Sequence, residues 1–190
     1  MYAKRLKSTL ALIGAIVLIG SLVLYIQGWM VVRKLDPNAT QVMGSFIEKT
    51  LGSDFAAAST IKIPLSDGIT IKNAVHAMKQ RAMGHGMKLV DRLKLHKEVT
   101  EKTRPYLEVF SFQAPKINPL ILGYNWEIAT YMPYRIALYQ DKGERAWLAT
   151  MDLGLLIHGA QEFEPDFKSQ MIAVKDQLLD IMAAGATGGQ

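Results

Sequence analysis

Between Ser8 and Val32 the chain carries no charged residue, and no other stretch limits so strongly what it can fold into. Leu10, Leu12, Ile13, Ile16, Val17, Leu18, Ile19, Leu22, Val23, Leu24 and Ile26 fill the middle of this run. A helix rises 1.5 Å per residue, so about 20 such residues cross the roughly 30 Å hydrocarbon core of a bilayer. Large aliphatic side chains each favour insertion by about 0.3 to 0.6 kcal/mol, which sums here to roughly 5 kcal/mol. Tyr25 and Trp29 suit the interfacial belt at the far end. A cleaved signal peptide would have an apolar region of about 7–15 residues ending at a small-x-small site. This run is longer and passes through Leu22, Leu24 and Tyr25 without one. A retained transmembrane anchor is therefore expected. Lys4, Arg5 and Lys7 precede the run, while Arg33 and Lys34 follow it. With the terminal amine, that balance predicts a cytoplasmic N-terminus in the inner (plasma) membrane and a soluble domain in the periplasm or its equivalent.

Charge and cysteine usage narrow the chemistry of the remainder. The 22 Lys and Arg against 17 Asp and Glu form short clusters, with no basic stripe interleaved with aromatics, so nucleic acid is not an expected partner. The absence of cysteine rules out both a disulfide framework and a thiolate metal site.

Beyond the anchor, Asp36-Pro37-Asn38 breaks the helix and offers a cap for a new one. Val42, Met43, Phe46, Ile47 and Leu51 then recur at helical spacing, predicting a membrane-proximal amphipathic segment that could lie on the lipid surface, contact a partner or, the leading expectation, dock on its own domain. Ser59 to Leu65 alternates as a half-buried strand does, and Ser66-Asp67-Gly68 turns the chain into a helix whose apolar face is Ile71, Val75, Met78 and Ala82. Met87 to Leu95 predicts a less regular second strand, and Lys97 to Arg104 is helix-compatible. Tyr106 to Phe112 predicts a third strand, with Leu107, Val109 and Ser111 on one side. A connection punctuated by Pro115, Pro119 and Gly123 carries a helical turn at Leu120 to Leu122. Arg135 to Gln140 and Ala146 to Met151 form a hairpin around Asp141-Lys142-Gly143-Glu144. Phe163, Phe167, Met171, Val174, Leu178 and Ile181 predict a long final helix, with Pro165 in its first turn and a frayed tail from Gly185.

The fold class expected is α+β: an N-terminal transmembrane helix, then a small two-layer domain with helices packed on a mainly antiparallel sheet. The expected division is a cytoplasmic tail over 1–7, an anchor over 8–32, an amphipathic segment over 33–57, the domain over 58–184 and a flexible tail over 185–190.

From Ile61 to Ile157 the chain resembles the domain-of-unknown-function 302 family. The likeness is carried by Ala77-Met78-Lys79-Gln80-Arg81-Ala82, Met87-Lys88-Leu89-Val90 and Glu108-Val109-Phe110-Ser111-Phe112. It continues through Met132-Pro133-Tyr134-Arg135-Ile136-Ala137-Leu138 and Trp147-Leu148-Ala149-Thr150-Met151. The resemblance implies a small α+β domain, often exported or membrane-attached in bacteria and often dimeric, and implies no particular activity. Similar proteins often carry one cysteine near the Phe110-Ser111-Phe112 strand and another after the proline matching Pro133. This chain has Tyr134 there and no cysteine anywhere, so thiol chemistry imagined for relatives has no counterpart in it.

The densest unusual cluster is His76, Met78, Met83, His85 and Met87. Imidazole and thioether suit cuprous ion, and His85 between two glycines suggests a loop able to wrap one. His76, Met83, His85 and Met87 are thus the candidate ligands of a copper-binding or copper-delivery protein. The competing expectation makes the methionines core fillers and the histidines surface residues, with no cofactor. His76 falls about 140° around the helix from Ile71, which favours a solvated position. Walker, dinucleotide and nucleophile-triad patterns are absent, and Glu162, Glu164 and Asp166 are explained by a helix terminus, so no catalytic residue is nominated and an unrecognised enzyme is the residual alternative. Trp126, Tyr131, Tyr134 and Trp147 are aromatics of the kind enriched at interfaces. The function expected is a non-catalytic accessory or binding module, held on the bilayer and associating with a membrane protein complex, such as a respiratory or oxidase assembly, or with itself.

Overall fold

The computed structural model describes residues 2–95 and 106–189. The expectation for Lys97 to Arg104, and His96 beside it, lie outside the described residues. The first helix, α1, spans Tyr2–Val32, and its Leu12–Val32 portion is long and apolar enough to cross a membrane. None of that portion is buried by the rest of the chain, so α1 is not a core helix of the domain.

The chain then forms α2 (Ala39–Gly52), α3 (Phe55–Ala58), β1 (Thr60–Pro64), α4 (Ile71–Gly84), β2 (Lys88–Lys94) and β3 (Leu107–Gln113). It continues with α5 (Asn118–Tyr124), a 3-10 turn over Trp126–Tyr131, β4 (Tyr134–Gln140), β5 (Ala146–Met151), α6 (Leu153–His158) and α7 (Pro165–Thr187). The five strands make one sheet in the order β1-β5-β4-β3-β2, with every neighbouring pair antiparallel. The chain is thus α+β, with a wholly antiparallel sheet.

Alternation along the strands decides which side becomes the core. Phe110, Phe112, Ile136, Leu138 and Leu148 point inward and are fully buried. Helices α4 and α7 lie on that face, contributing Met78, Met171, Leu178, Ile181 and Met182. Thr70 caps α4 by accepting from the Asn73 N–H at 3.1 Å, and Glu164 caps α7 by accepting from the Phe167 N–H at 3.2 Å. Tyr124 stacks on Phe167 with ring centroids 4.4 Å apart, bringing α5 onto the start of α7.

Two sequence expectations need correction. The final helix does not fray at Gly185; it runs to Thr187, and Ala184, Gly185 and Ala186 are buried. A Cβ on Gly185 would stand 2.6 Å from Met78 Cγ and 2.9 Å from Leu148 Cδ1, so this glycine permits the close approach that buries the last turn. His85 is not in a wrapping loop: it caps the C-terminus of α4, and the left-handed residue is Gly86, with φ 70°. In β3, as expected, Leu107, Val109 and Ser111 share one side, and the inward face is Glu108, Phe110 and Phe112.

Candidate functional site

The segment leaving α1 is fastened to the domain almost at once. Leu35 forms an antiparallel bridge with Gln161. The Asp36 N–H donates to the Ala160 carbonyl at 3.0 Å, and the Glu162 N–H donates to the Lys34 carbonyl at 3.1 Å. The Asp36 side chain is wholly buried, with its carboxylate 2.6 Å from Lys168 Nζ and 3.1 Å from His158 Nδ1. It also accepts from the Asn38 N–H at 2.8 Å, the local bond that turns the chain into α2. Burial alone would push the Asp36 carboxyl up, but Lys168, the Asn38 N–H and His158 outweigh it and hold it below its ordinary value. Lys168 also bonds Glu162 at 2.8 Å. The sequence marks Asp36 as part of a helix break and cap, which its bond from Asn38 bears out; its charged partners His158 and Lys168 are more than 100 positions away, and nothing local signals them.

Helix α2 docks against α6, burying Ala39 and half-burying Val42, Phe46 and Thr50. Phe46 meets Phe55 edge to face at 5.4 Å. Docking uses only one side of the amphipathic segment. Met43, Ile47 and Leu51, at four-residue spacing on α2, remain exposed, Leu51 at 85%, and Phe55 at the start of α3 is exposed as well.

The structure does not bring the four candidate copper ligands together. His76 and His85 are nine positions apart on α4 and its cap, which places them about 14 Å apart along the axis and on opposite sides. His76 is exposed. His85 Nε2 lies 2.6 Å from Asp180, which also accepts from Arg81 at 2.7 Å, so the imidazole is tied to α7. Arg81 first, then His85, hold the Asp180 carboxyl below its usual range. Met87 is buried in the core with Met78, whereas Met83 is exposed. Among the aromatics, Trp126 and Tyr131 are exposed and Tyr134 is buried. Trp147 is half-buried and donates to Asp141 at 2.9 Å.

A second polar centre lies at the other end of the sheet. Glu108 sits on the inner face in the same row as Leu138 and Leu148, and its side chain is completely buried. Arg92 grips it with two donors, Nε to Oε1 and Nη2 to Oε2, the latter at 3.0 Å. The Tyr106 hydroxyl also donates to Oε2. Burial favours the protonated acid, yet the bonds from Arg92 and Tyr106 prevail and hold the Glu108 carboxyl below its ordinary value. Burial, then Glu108, pushes the Tyr106 phenol up to about 12. The Arg92 guanidinium lies 5.3 Å from the Phe110 ring centroid, which further fixes it. An open cleft of about 740 Å³ between α4 and β2 is lined by Arg92, Tyr106 and Lys94, and by Lys72, His76 and Lys79 of α4. The signal for this centre was present in sequence: Glu108 shares the parity of Phe110 and Phe112, which makes it the inward residue of β3.

Residues 61–185 match the family described as Domain of unknown function DUF302. A crystal structure of an uncharacterized conserved protein of that family from Bacillus stearothermophilus is similar, with a TM-score of 0.52 at 12% identity, covering 66% of this chain and 97% of that chain. At that identity the likeness concerns the fold alone. No curated protein gives a significant match. The family match takes in more than half of the sequence, spans strands and helices of the sheet domain, and agrees with a solved fold; the chain belongs to the DUF302 family.

Proposed function

We propose that this protein is a membrane-anchored accessory module, non-catalytic itself, whose sheet domain is held at the outer surface of the bilayer in a fixed attitude and binds a membrane protein assembly. The observation that carries this reading is the junction after α1. Only Arg33 and Lys34 separate the apolar helix from Leu35, which already pairs with Gln161. Asp36, buried against Lys168 and His158, then clamps the segment. Confining a domain to a membrane requires no such clamp, because a flexible linker does that equally well. A clamp transmits orientation, which matters when the docking surface must face a neighbour embedded in the same bilayer. The exposed stripe of Met43, Ile47 and Leu51 on α2, with exposed Phe55 beyond its end, begins eleven residues after Val32 and supports the same reading, as an apolar surface for the flank of a neighbouring membrane protein.

Affinity purification of the full chain in a mild non-ionic detergent, followed by mass spectrometry, tests the proposal. A defined membrane protein should co-purify with the native chain and be depleted with Leu51→Ser/Phe55→Ser, two exposed positions. Asp36→Ala should weaken the same association while leaving the domain folded. Recovery of the chain only as itself under several gentle conditions overturns the proposal. If the stripe instead rests on lipid, both variants will retain the partner. A reporter active only after export, fused after Gln190, tests the orientation, and a signal confined to the cytoplasm reverses it.

A further inference from the structure

We propose that the cleft between α4 and β2 is an anion site that binds a phosphoryl group, with Arg92 as its fixed donor and Lys94, Lys72 and Lys79 as its mobile cations. The inference goes beyond the accessory role and does not depend on it.

The argument starts from a cost. A buried carboxylate is a poor stabiliser, because its desolvation offsets the attraction of its partner and an apolar residue of similar volume is often at least as stable. Glu108 nevertheless occupies an inward position beside Leu138 and Leu148, with Lys94 opposite it on β2 and adding to the positive field around the carboxylate. Both of its oxygens are consumed, Oε1 by Arg92 Nε and Oε2 by Arg92 Nη2 and the Tyr106 hydroxyl. Both oxygens of the carboxylate are therefore committed, and their role is to immobilise the guanidinium. Arg92 remains 38% exposed, and neither bond to Glu108 uses its Nη1, while Tyr106 holds the guanidinium from the same side as the carboxylate it bonds. A guanidinium held by one edge with the other edge free is preorganised for an oxyanion.

The surroundings have the matching sign. Lys72, His76 and Lys79 follow 4-3 spacing and line one wall from α4, while Lys94 stands two residues beyond Arg92 on β2. None of the three lysines forms an ion pair among the described residues. Among the described residues, Lys72, Lys79 and Lys94 thus leave an excess of positive charge over the Arg92–Glu108 pair in a concave space of about 740 Å³. The first turn of α4 also borders the cleft, adding the positive end of a 14-residue helix. Several cations converging from two elements fit a multiply charged oxyanion better than a single carboxylate. The half-buried Ile71 and the buried Val75 give the cleft an apolar side as well. The phosphoryl group therefore has two possible sources, a soluble phosphate and a phospholipid headgroup.

The test titrates the full chain in non-ionic detergent, by calorimetry at low salt, with two probes: inorganic pyrophosphate and short-chain phosphatidic acid. Saturable binding of at least one probe is expected, weakening as salt screens the exposed lysines. Lys79→Gln/Lys94→Gln should weaken it about tenfold, whereas Lys116→Gln/Lys142→Gln, which removes the same charge elsewhere on the surface, should leave it unchanged. Arg92→Lys, which keeps the charge but loses the two-donor grip on Glu108, should also weaken binding. Tighter binding of the lipid identifies a headgroup site, and binding of pyrophosphate alone identifies a soluble ligand. No saturable binding of either probe overturns the proposal, as does an equal loss in the two double-lysine variants.

Discussion

Gly185→Ala tests the packing that seats the end of α7 on the sheet. The added methyl carbon would stand 2.6 Å from Met78 Cγ and 2.9 Å from Leu148 Cδ1, and both neighbours are completely buried. Replacing a helical glycine by alanine contributes at most about 1 kcal/mol of stabilisation. Overpacking a closed site typically costs about 1–3 kcal/mol, and two contacts under 3 Å place this substitution toward the upper end. The Met78 contact is made at Cγ, so relief requires turning the whole side chain about χ1 within a filled core. A net loss of about 1–2 kcal/mol follows. In a Met78→Ala background, itself costing about 2–5 kcal/mol, the nearer obstacle is gone and the methyl partly refills the space. Gly185→Ala should then be neutral or stabilising, a favourable coupling of at least about 1 kcal/mol. Denaturant unfolding of the four members of the cycle, in one detergent, measures it. A stabilising Gly185→Ala in the native background, or additive effects across the cycle, would refute the packing argument.

Asp36, Glu108 and Asp180 all have carboxyls held below their ordinary values, so each contributes stability that is present above about pH 4 and lost as pH falls through the lowered value. Acid unfolding should show that limb, and Glu108→Gln should flatten it. The phenols of Tyr106 and Tyr134 are pushed up to about 12, chiefly by burial, so their stabilising contribution is complete below about pH 10 and lost as pH rises through about 12. Ultraviolet titration of tyrosinate should show two late phenols, one of them removed by Tyr134→Phe. Because His85 is bound to Asp180 and Met87 is buried, Met83→Ala/His85→Ala should leave cuprous binding by the full chain unchanged in competition with a chromogenic chelator. Loss of one bound ion per chain would reinstate those residues as ligands.

Elements with strong periodicity were legible from sequence because one face of each is buried. The Ile71, Val75, Met78 and Ala82 stripe became α4, the two runs around Asp141-Lys142-Gly143-Glu144 became β4 and β5, and the 4-4-3-4-3 stripe became α7. The second strand was harder because its register shifts between Leu89 and Asp91, which breaks simple alternation and turns Arg92 and Lys94 inward. Helix α6 was missed: six residues bounded by Asp152 and Gly159 are too short for a period to emerge. The polar centres were the least legible part. Asp36 meets Lys168 and His158, and Arg92 meets Glu108, only after the sheet and α7 are assembled. Sequence spacing shows which residue types are present and which face they share, but not which long-range charges will meet. The histidine–methionine cluster is the converse case, since neighbours in sequence were sent to the core, the surface and an ion pair by the turn of one helix.

The two borders of the sheet are shielded by different means. Beyond β1 the last residue is Pro64, which has no N–H to offer, and α3 packs against the strand. At the opposite border β2 turns Arg92 and Lys94 toward the side where an incoming strand would seek apolar company. Molecules confined to one plane by an apolar helix collide far more often than molecules free in three dimensions, and in similar orientations. If α1 holds the chain in a bilayer as proposed, an unguarded border would let one sheet extend into the next under that crowding, and neither border of this five-stranded sheet is left bare.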